Sequence, residues 1–330
     1  MIEKTLEIIA KKLKTPYINK GLLQGKMGSI LFFYNYSRHF DCRYKEYADK
    51  WLYEIINVIH EMNCNYADGI AGVGTGMEYL AQESFIEEET NEILSEVDSL
   101  VDRIYRSISH LPPQIIDMRY GVTGYGKYYL ARLTNPDNIK KMNPDSQFIE
   151  KQLSNIVDLL SVGYVSYRDI YVLLNFLPDI IRLEINKKKA DIFLNYAVNL
   201  LETMVYEDVF FGKYPESFNP LIAALLLFRS SAKTDRKDLA DRAIYFLDGY
   251  ESGFQPYLID KHAIKWSFLY HTLWKNCNRD MYKELSIQWL EKITYSGLSI
   301  EPGNLITSGM MLLTMNNSIN DNWLDWFPLH

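Results

Sequence analysis

Two carboxylates stand just ahead of glycine turns, Asp68 in YADGIAG and Asp117 in DMRYGVTG. Two chemistries suit them. A pair of carboxylates across a glycosidic bond supplies the acid and the base or nucleophile of sugar cleavage, with Glu216 and Asp260 as outside candidates. A carboxylate beside the first N–H groups of a helix can equally be its N-terminal cap. Around them stand Tyr66, Tyr120, Tyr125, Tyr164 and Tyr214, whose ring faces and hydroxyls suit a sugar ring or a peptide side chain, or serve only in packing.

The other reactive residues point away from metal and nucleotide chemistry. Cys42, Cys64 and Cys277 are far apart and free of C-x-x-C spacing, which reads as reduced thiols. His39, His60, His110 and His271 show no ligand spacing, and His271 lies in an apolar stretch where a core histidine is expected. The segment GVTGYGK at 121–127 imitates a phosphate loop. Tyr128 stands where the magnesium-binding Ser or Thr belongs, however, and no strand precedes the turn. GVGTG at 72–76 is a similar imitation of a dinucleotide loop in a helical setting. No metal and no cofactor is expected.

The elements that must position these residues read as all helix. Apolar residues recur at three- and four-residue spacing, and strand signals are almost absent. Three segments align: Gly25-Lys-Met-Gly28 before ILFFY, Gly69-Ile-Ala-Gly72 before VGTGMEYL, and Gly121-Val-Thr-Gly124 before YGKYYL. Their first glycines lie 44 and 52 residues apart, a period that fits two helices and two connections. Fainter copies lead into apolar helices near Tyr171, Leu221, Phe268 and Met310, which makes seven units. Amphipathic stretches such as 191–205 and 237–247 lie between them. A helix apolar nearly all round must be buried, and one with a polar face can meet water. The fold class expected is all-α, an α/α toroid of about seven helical hairpins with inner and outer rings, as one domain over 1–330. Glycine at an inner helix start would admit φ > 0, let neighbouring backbones approach, and leave first-turn N–H groups open toward a central cavity.

Composition agrees. The 330 residues are 48% hydrophobic and 14% aromatic, enough for a large core. Net charge is −7 and the basic residues are scattered, so no nucleic-acid footprint is present. The run Lys187 to Lys189 reads as a solvated helix start. The N-terminal segment puts Leu6, Ile9, Ala10 and Leu13 on one helical face and lacks the apolar run of a signal peptide. No stretch approaches the roughly 18 apolar residues of a membrane span. A cytoplasmic location is the default expectation.

The segments GLLQGKMGS, YADGIAGVGTG and DMRYGVTGYGKYYL resemble the lanthionine synthetase C-like family over about residues 20–133. The resemblance implies an α/α toroid with glycine motifs at the inner helix starts. In the family's cyclases, it also implies a zinc ion held by two cysteines and a histidine, which turns a substrate thiol into the thiolate that adds to a dehydrated serine or threonine. Here the matching slots are Tyr214-Pro-Glu-Ser-Phe-Asn-Pro220 and Asp260-Lys-His262-Ala-Ile-Lys-Trp266, neither with a cysteine. A further family histidine falls at Val162. Asp117 matches the family's Asp-x-x-x-Gly, where the aspartate lines the active site as a proton-transfer or orienting group.

Asp117 and Asp68 are therefore the candidate catalytic residues. The candidate substrate-binding set is the five tyrosines with His262 and Trp266, and no residue is assigned to a metal. The function expected is a zinc-free relative that binds or modifies a peptide in a bacterial, lantibiotic-like maturation system. The alternative is a carbohydrate-active toroid enzyme using paired carboxylates. The expected partner is a peptide or small molecule, including a sugar, in the central cavity, with no nucleic acid and no membrane span.

Overall fold

The computed structural model describes residues 1–14, 19–87, 90–108, 116–135, 144–160, 165, 167–211, 220–250, 263–293, 298 and 301–327. Among these are fourteen α-helices, two short 3-10 turns and no strand. Seven helices are apolar: α2 (Lys26–His39), α4 (Ile70–Gln82), α6 (Val122–Thr134), α8 (Tyr167–Arg182), α10 (Pro220–Thr234), α12 (Ala263–Cys277) and α14 (Pro302–Met315). The other seven are α1 (Ile2–Leu13), α3 (Arg43–Ile56), α5 (Thr90–Ile108), α7 (Pro144–Leu160), α9 (Lys187–Phe211), α11 (Lys237–Tyr250) and α13 (Asp280–Glu291). No helix among the described residues is long and apolar enough to cross a membrane.

The chain groups into two compact units. The first joins Met1–Ile156 to Leu298–Phe327, and the second is built on Val157–Gly297. In the first unit the apolar helices form the row α14, α2, α4, α6, each against the next. They are buried nearly all round, as their composition demands: Met27 to Tyr36, Ile70 to Leu80 and Val122 to Leu133 are continuous buried runs. Amphipathic helices cover the row, α3 on α2 and α5 on α4. Helix α1 covers α14, so the N-terminal helix is the partner of the seventh apolar helix rather than the opening of a hairpin of its own. In the second unit the row is α8, α10, α12, covered by α9, α11 and α13.

The first unit carries a buried polar network across α4, α5 and α6. The Arg132 guanidinium pairs with the Glu78 carboxylate and with Asp98 Oδ2 at 2.8 Å. Asn135 Nδ2 donates to Glu78 Oε2 at 2.6 Å and to Thr90 Oγ1 at 3.1 Å, and Tyr128 Oη donates to Asp98 Oδ1 at 2.5 Å. Burial pushes the Glu78 carboxyl upward against the pull of Arg132 and Asn135. Such a network holds three helices in one register because its charges tolerate no loss of partner.

Candidate functional site at the glycine turns

The three glycine motifs share one backbone design. Gly25, Gly69 and Gly121 are the N-caps of α2, α4 and α6, with φ of −134°, −115° and −102°. This corrects the expectation of φ > 0, since all three are extended. The first-turn N–H groups also differ from expectation. Lys26 N–H donates to the Asn19 carbonyl at 3.1 Å, Met27 N–H to the Lys20 carbonyl at 3.3 Å, and Ile70 N–H to the Asn63 carbonyl at 2.8 Å. The first two turns therefore loop back to satisfy their own helix starts rather than leaving them open. Asn19 and Asn63 occupy the same place in their turns, and each side-chain oxygen accepts the N–H two residues on, from Gly21 and Asn65.

The turns stack in register. Leu23 N–H donates to the Ala67 carbonyl and Ala67 N–H to the Arg119 carbonyl, both at 3.1 Å, and these three residues each stand two before their capping glycine. The second glycine of each motif explains why a side chain is excluded there. A Cβ on Gly28, Gly72 or Gly124 would strike the carbonyl oxygen of Leu22, Tyr66 or Met118 in its own turn. Each of these glycines also receives the preceding unit's side chain: Ile306 on Gly28, Leu22 on Gly72 and Tyr66 on Gly124. Close approach, rather than left-handed backbone, is what the glycines supply.

Asp68, Asp117 and Tyr120 meet on this stack. Tyr120 is 56% exposed, yet both its ends are tied. Its N–H donates to Asp117 Oδ2 at 2.8 Å and its hydroxyl to Asp68 Oδ2 at 3.1 Å. Asp68 Oδ1 accepts from Asn19 Nδ2 at 2.6 Å, so this one carboxylate bridges all three turns. Desolvation and then the Asp68 carboxylate push the Tyr120 hydroxyl pKa upward, which keeps the phenol a donor. Asp117 has a structural counterpart: Asn65, at the same place in the second turn, accepts Asp68 N–H at 2.7 Å on its side-chain oxygen. Asp117 thus closes the turn ahead of α6 through Tyr120, and it makes no side-chain bond to the N–H groups of the helix itself, whose N-cap is Gly121.

The other candidates are placed differently. Tyr66 and Tyr125 are core residues, which corrects the expectation that they present open ring faces; Tyr66 is 1% exposed and burial raises the Tyr125 hydroxyl pKa to about 12. Trp266, in the second unit, lies half-buried with its ring 6.2 Å from that of Trp289. Tyr164, Tyr214 and His262 lie outside the described residues, as do Glu216 and Asp260.

Residues 17–169 match the family model described as lanthionine synthetase C-like protein. Over that segment the chain resembles the lanthionine synthetase C-like family. A solved structure described as nisin cyclase matches with a TM-score of 0.62 at 16% identity, covering 99% of this chain and 96% of that one. That likeness gives this chain the α/α toroid fold. No curated protein matches its sequence.

The described donors do not fit a zinc site of two thiolates and an imidazole. Cys42 is exposed beside α3, Cys64 is buried in the second turn with its thiol pKa raised by burial, and Cys277 donates to the Leu273 carbonyl at 3.0 Å near the end of α12. Among the described residues no group of three His, Cys, Asp or Glu side chains converges. Sequence reasoning missed Asn19, Asn65, Lys127 and the acceptor role of the Trp326 carbonyl. Asn19 left a signal, an asparagine that recurs as Asn63 at the same distance ahead of the next capping glycine.

Proposed function

We propose that this protein is a zinc-free relative of the lanthionine synthetase C-like family that serves as a peptide-binding component of a bacterial peptide-maturation system, taking its peptide at the face built by the glycine turns. A cytoplasmic location goes with that role. The observation that carries the reading is the in-register stack of the three turns, tied through Asp68 to Asn19 and Tyr120. It keeps the family's scaffold rigid at its helix starts and holds an exposed aromatic ring in one orientation. A rigid tyrosine gives a large contact area at small entropy cost, which suits recognition.

Asp68 has both oxygens engaged by protein donors, and Asp117 accepts the backbone N–H of the same tyrosine. Those engagements favour positioning over proton transfer, and hence peptide binding over the paired-carboxylate cleavage of a sugar. The test is panning of a displayed random-peptide library on the purified chain, with a glycan array and metal analysis alongside. Enriched peptides that lose affinity with Tyr120→Ala are expected. Glycan hydrolysis, stoichiometric zinc, or no enriched peptide would each overturn the proposal.

A further inference from the structure

The end of the chain makes, within the first unit, the contacts a bound peptide would make. Trp323 is buried and its indole N–H donates to Thr314 Oγ1 at 2.9 Å, which anchors the 3-10 turn Asn322–Asp325 to α14. Three residues on, the segment meets different elements. Tyr66, from the second glycine turn, donates its hydroxyl to the Trp326 carbonyl at 3.0 Å, and Lys127 of α6 holds its ammonium 5.9 Å from the centroid of the Trp326 ring. Tyr66 and Lys127 are both buried, and the Tyr66 hydroxyl is pushed toward its protonated, donating form by that burial. A buried phenol needs an acceptor. A buried ammonium favours an aromatic face. The acceptor used here is a backbone carbonyl, which every peptide carries, and the face is an indole.

We propose that Tyr66 and Lys127 form a subsite for an aromatic residue of a peptide, and that the chain's own Trp326 and Phe327 fill it as an internal competitor. The inference rests on the peptide-binding reading and assigns it a subsite and a preference. Trp323, fixed to α14, is the anchor. Trp326 is half-buried, while Phe327 is buried with its ring edge-on to that of Trp323 at 6.0 Å, so the segment leans on the anchor as well as on the subsite.

The experiment removes residues 326–330 and titrates the shortened chain with the acetylated pentapeptide Trp-Phe-Pro-Leu-His, the segment removed. Saturable binding is expected for the shortened chain and at least tenfold weaker binding for the full chain. Tyr66→Phe in the shortened chain should weaken binding about tenfold, the loss of one hydrogen bond. A shortened chain that keeps its helical circular dichroism and cooperative melt yet ignores the pentapeptide overturns the proposal. Should shortening unfold the protein, full-length Trp326→Ala titrated with N-acetyltryptophanamide decides it: saturable binding supports the subsite and none refutes it. Library peptides enriched on the full chain, with no pentapeptide binding to the shortened one, would sink the subsite and leave the peptide reading standing.

Discussion

The two units pack neighbouring apolar helices by different means, apart from the Glu78–Arg132 pair that joins α4 to α6 in the first. In the first, neighbouring apolar helices meet where a glycine on one receives a large side chain from the next: Tyr128 on Gly74, Met27 on Gly76 and Phe32 on Gly309. In the second, contacts between neighbours use hydroxyl and charge. Ser230 Oγ donates to the Leu174 carbonyl at 3.1 Å across α10 and α8, Lys233 Nζ meets Asp179 Oδ2 at 2.8 Å, and Ser267 and Ser286 bond reciprocally between α12 and α13. Glycine notches fix the distance between helices and tolerate no added atom. Hydroxyl bridges fix orientation and tolerate the loss of one group. The first unit is therefore the rigid one, and it carries the turn stack and the exposed Tyr120.

The largest effect tests the rigid unit at its charged centre. Arg132→Met strands the buried Glu78 carboxylate, and about 3–5 kcal/mol of stability should go, as for breaking a buried pair. Urea denaturation would show it as a lower midpoint. A loss under about 1 kcal/mol would mean that the network is dispensable and the notches alone set the register.

Next comes the comparison itself. Gly72→Ala puts a methyl against the Tyr66 carbonyl and the Leu22 side chain, neither of which can swing away. Overpacking of this kind costs about 1–3 kcal/mol, and more where backbone must move. Its counterpart in the second unit, Ser230→Ala, removes one of the donors and leaves the Leu174 carbonyl to its helix, a cost of about 1 kcal/mol. Thermal melts of the two variants should rank in that order. Equal losses would erase the distinction between notch and bridge.

How much of this was legible in the sequence follows from the same contrast. The glycine motifs are local, so Gly25, Gly69 and Gly121 revealed the repeat and the starts of three helices, and the apolar runs near Leu221 and Met310 placed α10 and α14. What stayed hidden depends on contacts between distant residues. Asp68 meets Tyr120 across 52 positions and Tyr66 meets Trp326 across 260, and no spacing rule encodes either. The same distance hid the pairing of α1 with α14. The φ > 0 expectation failed for a different reason: glycine has two physical uses, and only the structure separates close approach from left-handed backbone.

A smaller effect separates chemistry from turn closure at Asp117. Asn65 performs the equivalent bond in the second turn with a neutral amide oxygen, so Asp117→Asn should keep the turn and its melting temperature. Asp117→Ala should cost about 1 kcal/mol, the loss of the one hydrogen bond that closes the turn. Peptide binding or turnover lost in Asp117→Asn, with the fold intact, would assign the charge a role in function. Activity unchanged in Asn and reduced in Ala would make Asp117 a positioning residue for Tyr120 and nothing more.

The last effect belongs to the second unit and is read by pH. His271 on α12 packs edge-on to Trp274 with ring centroids 5.7 Å apart, and its Nε2 is buried with no hydrogen-bond partner among the described residues. Burial, helped by the Lys275 charge, lowers its pKa from 6.5 to about 4. The unfolded chain therefore binds the proton more readily than the folded one. Stability should be unaffected by this group above pH 6.5 and should fall as the pH drops from 6.5 to about 4, levelling off below that. His271→Phe keeps the ring contact and removes the titration, so the difference between wild type and variant should grow on acidification across that window. A constant difference between pH 7 and pH 4.5 would mean that the imidazole reaches water, and that this stretch of α12 is packed more loosely than the notched helices of the first unit.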